Sequence, residues 1–331
     1  MRPILSSSVM LFAVLLRAPA PASATCGAEG CPLVREGLGA ASSRFAFDLR
    51  YQDVTQDKLW NGTRAVSLSD VTAGAGLHSE IELFTRTRSW VAEGRAQLTD
   101  RIRLTATLPY VDREHRHALN HPGSLLADTW KFNGLADATV LAHVRAFESA
   151  AGTRLTVQGG VKLPTGRTHV ANETRTHFGF LESSLEPSAR PGSGSTDWLA
   201  GGNLTQALPW RGALPIAASI LARWNGSGTD DFRVGNEVQA GLSGGFAPMN
   251  RLTLLAQVNY SGHLSDVSAD ASEAAHSGMK SLYVTPGLSV RVSPAVSVYG
   301  LYQMRAWGKS DEATVVATDH FLFGTTYSIG R

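Results

Sequence analysis

Nowhere after its first residues does this 331-residue sequence hold an uninterrupted apolar run of the roughly 18 to 20 residues that a membrane helix needs. A helical membrane protein is thereby excluded. A membrane β-barrel is not, because its strands alternate and their hydropathy averages out; a mean hydropathy of −0.07 with 18% charged residues fits that case. Charge of one sign is also scarce. The net charge of +2 is too small to attract nucleic acid, so no nucleic-acid partner is expected. Only two cysteines occur, Cys26 and Cys31, which rules out a disulfide-built scaffold; in an oxidising compartment they are a candidate local disulfide. A metal-binding pair is the weaker alternative, since one Cys-x4-Cys lacks the spacing of a structural zinc site. No phosphate-cradling glycine loop or Gly-x-Ser-x-Gly elbow is present, and no cofactor is expected.

What is present begins with export. Met1-Arg2 is a short basic start, residues 9–16 are apolar but too short to span, and Ala22-Ser23-Ala24 is a small-residue exit that fits cleavage before Thr25. That order is the pattern of a secretory signal peptide. The chain therefore divides into a signal peptide (1–24), a short periplasmic N-terminal segment (25–43) and a barrel (44–331).

Parity carries the fold. Ile102, Leu104, Ala106, Leu108 and Tyr110 are apolar, with Arg101, Arg103, Thr105 and Thr107 between them; a period of two is what an extended strand with two unlike faces requires. The same alternation runs through Phe45 to Tyr51, Trp90 to Leu98, Ala138 to Val144, Leu155 to Leu163, Trp198 to Leu204, Ile216 to Trp224 and onward to Ile329. Connectors alternate in length. Short ones fall at 99–100, 149–153, 209–212, 248–250 and 293–294, and long ones near 54–79, 112–133, 165–195, 226–234, 263–280 and 308–317. Short turns on one side, longer loops on the other and an even strand number describe a transmembrane barrel. The expectation is an all-β, antiparallel, up-and-down transmembrane β-barrel of about twelve strands, with short periplasmic turns and longer outer loops.

The polar face is charged in mid-strand, as a watery interior allows, and the apolar face carries aromatics at segment ends (Tyr51, Trp90, Tyr110, Trp224, Tyr260), as interfacial girdles do. Lumen-lining residues expected to bear on transport are Arg50, Glu93, Arg95, Arg103, Asp137, Arg145, Lys162, Arg223, Glu237, Arg291 and Arg305. Their basic balance reads as a polar or anion-favouring passage; the alternative is a narrow interior rigidified by Arg–carboxylate pairs.

Three segments then stand out in order: Leu108-Pro109-Tyr110-Val111, Lys162-Leu163-Pro164-Thr165-Gly166, and Pro191-Gly192-Ser193-Gly194-Ser195-Thr196-Asp197. This set resembles the meta-pathway phenol-degradation family of outer-membrane proteins, most closely over roughly residues 100–225. The resemblance implies a barrel in the outer-membrane lipid bilayer that passes a small, often hydrophobic, molecule, with no shared catalytic residues. The C-terminus, Ile329-Gly330-Arg331, departs from the aromatic ending by which many such barrels engage the outer-membrane assembly machinery.

Two other chemistries are weighed. His115, His117 and His121 share one predicted outer loop and could hold a transition metal, against the plain reading of a solvated charged loop. Gly262-His263-Leu264-Ser265-Asp266 faintly resembles the His-x-Ser of outer-membrane phospholipases, but Tyr260 faces lipid, so His263 and Ser265 take the inward parity where a lipid hydrolase cannot use them. The expected function is a non-enzymatic channel or transporter for a small molecule, with a closed structural or metal-binding surface barrel as the alternative.

Overall fold

The computed structural model describes residues 43–74, 80–121, 124–170, 189–210, 215–267 and 277–330. The expected signal peptide, the candidate Cys26–Cys31 pair and the rest of the expected N-terminal segment as far as residue 42 lie outside the described residues. Thirteen strands make one sheet: β1 Phe45–Gly62, β2 Arg64–Ala65, β3 Glu80–Gln97, β4 Ile102–His121, β5 Ser124–Leu135, β6 Ala138–Glu148, β7 Thr153–Leu163, β8 Asp197–Gln206, β9 Ile216–Trp224, β10 Glu237–Met249, β11 Leu252–His263, β12 Met279–Arg291 and β13 Val296–Ile329. A short helix, α1 (Leu68–Gly74), follows β2.

Each strand pairs antiparallel with its neighbour, β5 pairs on β4, and β13 returns to β1 and closes the barrel. Register converts these elements into passes. Residues 297–310 of β13 run against β12 and residues 310–329 run against β1, so Ser310 is a crest from which the chain turns back. Strands β5 and β6 descend the same edge of β4, interrupted at Ala136-Asp137. Counted this way, the described residues make twelve passes, matching the expectation.

The outward parity is apolar and exposed. Phe45, Phe47, Leu49, Leu104, Leu108, Val157, Ile220, Leu242, Val258 and Leu288 all face away from the lumen. An exposed apolar surface on this scale has no place in water. At its upper edge Phe323, Tyr51, Trp90 and Tyr110 sit in register on adjacent strands, with Tyr51 and Trp90 ring centroids 5.0 Å apart. The row continues around the barrel as Trp198 opposite Trp224, 65% and 50% exposed. One step above it the outward residues turn ionic and pair across strands: Arg86 grips Asp53 through two nitrogens at 3.0 and 2.6 Å, Arg88 meets Asp112 at 3.5 Å, and Lys131 meets Glu114 at 3.5 Å. Hydrocarbon ends between the two rows.

Above that line the fold departs from the sequence expectation. The long outer loops expected near 54–79, 112–133 and 308–317 are largely strand: β1 and β3 have 18 residues and β4 has 20, against nine in β9. One side of the barrel stands proud of the membrane. Parity inverts there, with Asp53, Arg88, Asp112 and Lys131 outward and Val54, Val111, Trp130 and Phe132 buried inward, so the alternation that reads as strand inside the membrane breaks phase at its surface.

The two rows predict unequal responses. Val258→Arg, at mid-height of β11 and facing lipid, is expected to lower stability by about 2–4 kcal/mol. Arg86→Met, in the exposed ionic row, is expected to cost under about 1 kcal/mol. Urea unfolding of the barrel in lipid vesicles reads both.

Candidate functional site

The inward face is uneven around the circumference. On β11–β13, β1 and β3 it is thick and packed: Leu255, Tyr299, Leu301 and Leu322 form a buried apolar cluster. Beside it Asp48 accepts hydrogen bonds from Tyr299 Oη at 3.0 Å and Thr326 Oγ1 at 2.7 Å. Arg50 lies 3.6 Å from both Asp48 and Glu93, Arg95 Nε donates to Glu93 at 2.7 Å, and Thr107 Oγ1 donates to Glu93 at 3.3 Å. Large apolar side chains on the lumen parity were not anticipated; each occupies a position that the alternation assigns to the polar face. Asp48→Asn, which keeps the shape and removes the charge facing Arg50, is expected to destabilise by about 1–3 kcal/mol, read by the same urea unfolding.

On β6–β10 the inward face is mixed: Leu141, Gln158, Leu199, Leu221, Arg223 and Glu237 share it with a run of short residues. Thr139, Gly160, Gly201, Ser219 and Gly241 follow one another on adjacent strands and stay partly accessible. Gly160 is also required by close strand approach: a Cβ there would sit 2.0 Å from the Val140 carbonyl oxygen.

Of the eleven anticipated lumen residues, eight take part in ion pairs. Arg50, Glu93 and Arg95 form the network just described, Asp137 and Lys162 pair with each other, Arg223 pairs with Glu237, and Arg145 with Glu148. Arg305 lies 4.6 Å over the Trp60 ring, and Arg103 is half-buried on β4. Two positions are corrected. Arg145 bonds Glu148 and the Asp100 carbonyl at the short-turn rim, and Arg291 ends β12 exposed at that rim; neither stands in mid-lumen. Position along the strand, which parity does not report, decides this.

The three motif segments meet at one place, the break between β5 and β6. Asp137 occupies the break. Lys162, at the upper end of β7, places Nζ 2.8 Å from Asp137 Oδ2 and 2.8 Å from Asp197 Oδ2, and also bonds Ser193 Oγ. Lys162, Asp137 and Asp197 are 4%, 4% and 1% exposed. Each carboxylate is further satisfied: Asp137 by the amides of Gly166 at 2.8 Å and Ser193 at 3.0 Å, Asp197 by Ser195 Oγ at 2.7 Å and the Gly226 amide at 3.1 Å. Pro109 accepts from the Ala136 amide at 2.9 Å, and Thr165 Oγ1 from the Ala138 amide at 2.8 Å. Gly166 and Gly192 touch so closely that a Cβ on Gly192 would lie 2.5 Å from the Gly166 carbonyl carbon, and Gly194 has φ +73°. The motifs build a clasp that pins segments 164–170 and 189–196 over the upper wall of the barrel. Ser193, Ser195 and Asp197 were not singled out as site residues, although their spacing within the Pro191–Asp197 segment, each hydroxyl two residues from the next oxygen, is that of a local hydrogen-bonded turn.

The histidines are placed differently from expectation. His115, His117 and His121 lie on β4, not in a loop. His115 is buried and bonds Thr85 Oγ1 at 2.8 Å, with its ring centroid 5.5 Å from that of His117; the His121 side chain lies outside the described residues. Among the described residues no group of three His, Cys, Asp or Glu is arranged to hold a metal ion. His263 stands 3.8 Å from Asp266 on the lumen side, away from the outer face where a membrane lipid would lie.

No family model matches the chain, and no curated protein matches it. Among solved structures it is similar to an outer membrane channel from Pseudomonas putida F1, with a TM-score of 0.59 and 13% identity over 89% of this chain and 99% of that one. It is also similar to a FadL homologue of Pseudomonas aeruginosa (TM-score 0.46, 10% identity, 87% and 90% covered) and to the transport unit of the autotransporter AIDA-I of Escherichia coli (0.47, 12%, 89% and 94%). At those lower scores the last two add nothing to the assignment. The fold is that of an outer-membrane β-barrel.

Proposed function

We propose that this protein is an outer-membrane channel that lets small, uncharged or weakly polar molecules cross along the line of short inward residues on β6–β10. The observation that carries this reading is a line of short inward residues, Thr139, Gly160, Gly201, Ser219 and Gly241, that steps across β6–β10 and stays partly accessible, opposite the packed cluster of Leu255, Tyr299, Leu301 and Leu322. Ion pairing narrows the solute class. Eight of the eleven expected lumen charges are engaged by opposite charges, so they draw free ions less than unpaired arginines would. The similarity to the channel of Pseudomonas putida F1 supports the reading, as does the resemblance of the clasp motifs to the phenol-degradation family, from which hydrophobic or aromatic cargo is inferred.

The rest of the reading follows from that location. Residues 1–24 direct export and are removed, Cys26 and Cys31 form a local disulfide in the periplasm, and the outer-membrane assembly machinery inserts the barrel. The chain performs no catalysis in this reading. A closed structural barrel is the competing reading, favoured by the same ion pairs. Planar bilayers containing the purified protein separate the two: discrete small conductance steps together with faster entry of neutral than of charged solutes of equal size into proteoliposomes are expected, and silence in both assays would refute the channel.

A further inference from the structure

One cavity lies in the packed wall, far from the clasp. It is lined by Gln52, Thr285, Leu301, Gln303, His320 and Leu322 among others and has about 10 Å³ of room for the centre of a water-sized group, space for about one oxygen atom. Its residues come from four adjacent passes: β1, β12, and the rising and returning limbs of β13. Ladder pairing between β12 and β13 is present at Val284↔Met304 and Gly287↔Leu301 in one register but lapses between them, which sets Thr285 across from Gln303. Pro286, with no N–H to give, sits in that lapse.

The lining is mostly apolar, with Val54, Leu301, Phe321 and Leu322 among its residues, and the polar groups set into it are the unusual part. Gln52 Oε1 and Gln303 Nε2 are buried without a hydrogen-bond partner, and neither nitrogen of the buried His320 ring makes a well-formed bond, although the Asp319 backbone lies beside the ring. Buried polar atoms are nearly always satisfied, and here an acceptor, a donor and an imidazole border one small space. Thr285 Oγ1, also in the lining, accepts from Asn259 Nδ2 at 3.0 Å.

We propose that this cavity is a binding site for a single neutral hydroxyl group. A hydroxyl donates to Gln52 Oε1 while accepting from Gln303 Nε2, and an imidazole nitrogen completes its shell. An anion would meet the Gln52 oxygen and a cation the Gln303 amide donor, and no formally charged side chain lines the cavity to offset either. Room for one oxygen leaves two sources, an ordered water or the hydroxyl of a solute whose body stays in the lumen. The site is independent of the transport reading, since a water bound here would stand whether or not the barrel conducts.

Barrel labelled with [15N]histidine and refolded in detergent tests it, with the His320 resonances assigned by their loss in His320→Asn. Hydrogen-bonded ring-nitrogen shifts are expected in the wild type, with cross-relaxation from a bound hydroxyl proton. Both are expected to be lost in Gln303→Leu and in Gln52→Leu, variants whose folding is checked by their heat-dependent electrophoretic mobility. Titration with phenol and with 1-propanol then distinguishes the sources. A saturable shift assigns the hydroxyl to solute, and an unchanged spectrum assigns it to water. Free-ring shifts in the wild type, or signals that persist in both folded variants, would overturn the proposal.

Discussion

Replacing Lys162 with methionine should destabilise the barrel by about 3–5 kcal/mol, because it strands two carboxylates in a buried site. Lys162 is the only cation within ion-pair distance of Asp137 and Asp197 among the described residues, 2.8 Å from each. Hydrogen bonds from Ser193, Ser195, Gly166 and Gly226 remain, but they cannot neutralise two adjacent negative charges, and repulsion should drive segments 164–170 and 189–196 off the wall. Urea unfolding in vesicles would report the loss, and limited proteolysis should cut the released segments in the variant first. Adding Asp137→Asn and Asp197→Asn to Lys162→Met should restore part of the stability, since no uncompensated charge is left. A loss below about 1 kcal/mol for Lys162→Met would mean that the clasp is held by its backbone contacts alone. At the exposed rim, Arg145→Met is the control: Arg145 and Glu148 are 31% and 39% exposed, and its removal should cost under about 1 kcal/mol.

The second large effect concerns transport. Ser219 and Ile220 are neighbours on β9 with opposite faces, Ser219 inward and opposite Asn203 and Gly241, and Ile220 53% exposed on the outward face. Ser219→Trp should reduce solute entry into proteoliposomes by about tenfold or more, because passage through such a pore depends steeply on its free diameter. Ile220→Trp, one residue on, should leave entry unchanged. Equal flux in the two variants would show that solutes do not travel along β6–β10.

Much of this architecture was legible as parity. Ile102 to Tyr110 and Leu155 to Leu163 declare two unlike faces, and hydrocarbon on one side with a satisfied interior on the other makes a closed barrel the outcome. The aromatic row at Tyr51, Trp90 and Tyr110 could be read for the same reason. The strand extensions at 52–62, 80–88 and 111–121 could not, because above the bilayer water takes the place of lipid and the outward parity becomes ionic. His115 and His117 were misplaced into a loop by that phase change. The charge roster of the lumen was legible too, but not its heights: Arg145 and Arg291 share a parity with Arg50 and Arg95 yet end at a rim.

By itself, then, the sequence determined which side chains meet lipid, which turn inward, and how often the chain crosses, because those follow from a period of two applied strand by strand. Only the tertiary structure decided what the motifs hold together and which inward residues line up across strands. Lys162 and Asp197 come from β7 and β8 and Asp137 from the break between β5 and β6, the groups around Gln303 come from three strands, and a barrel brings such residues together through the register of its closure, a property of all the strands at once and of no segment alone.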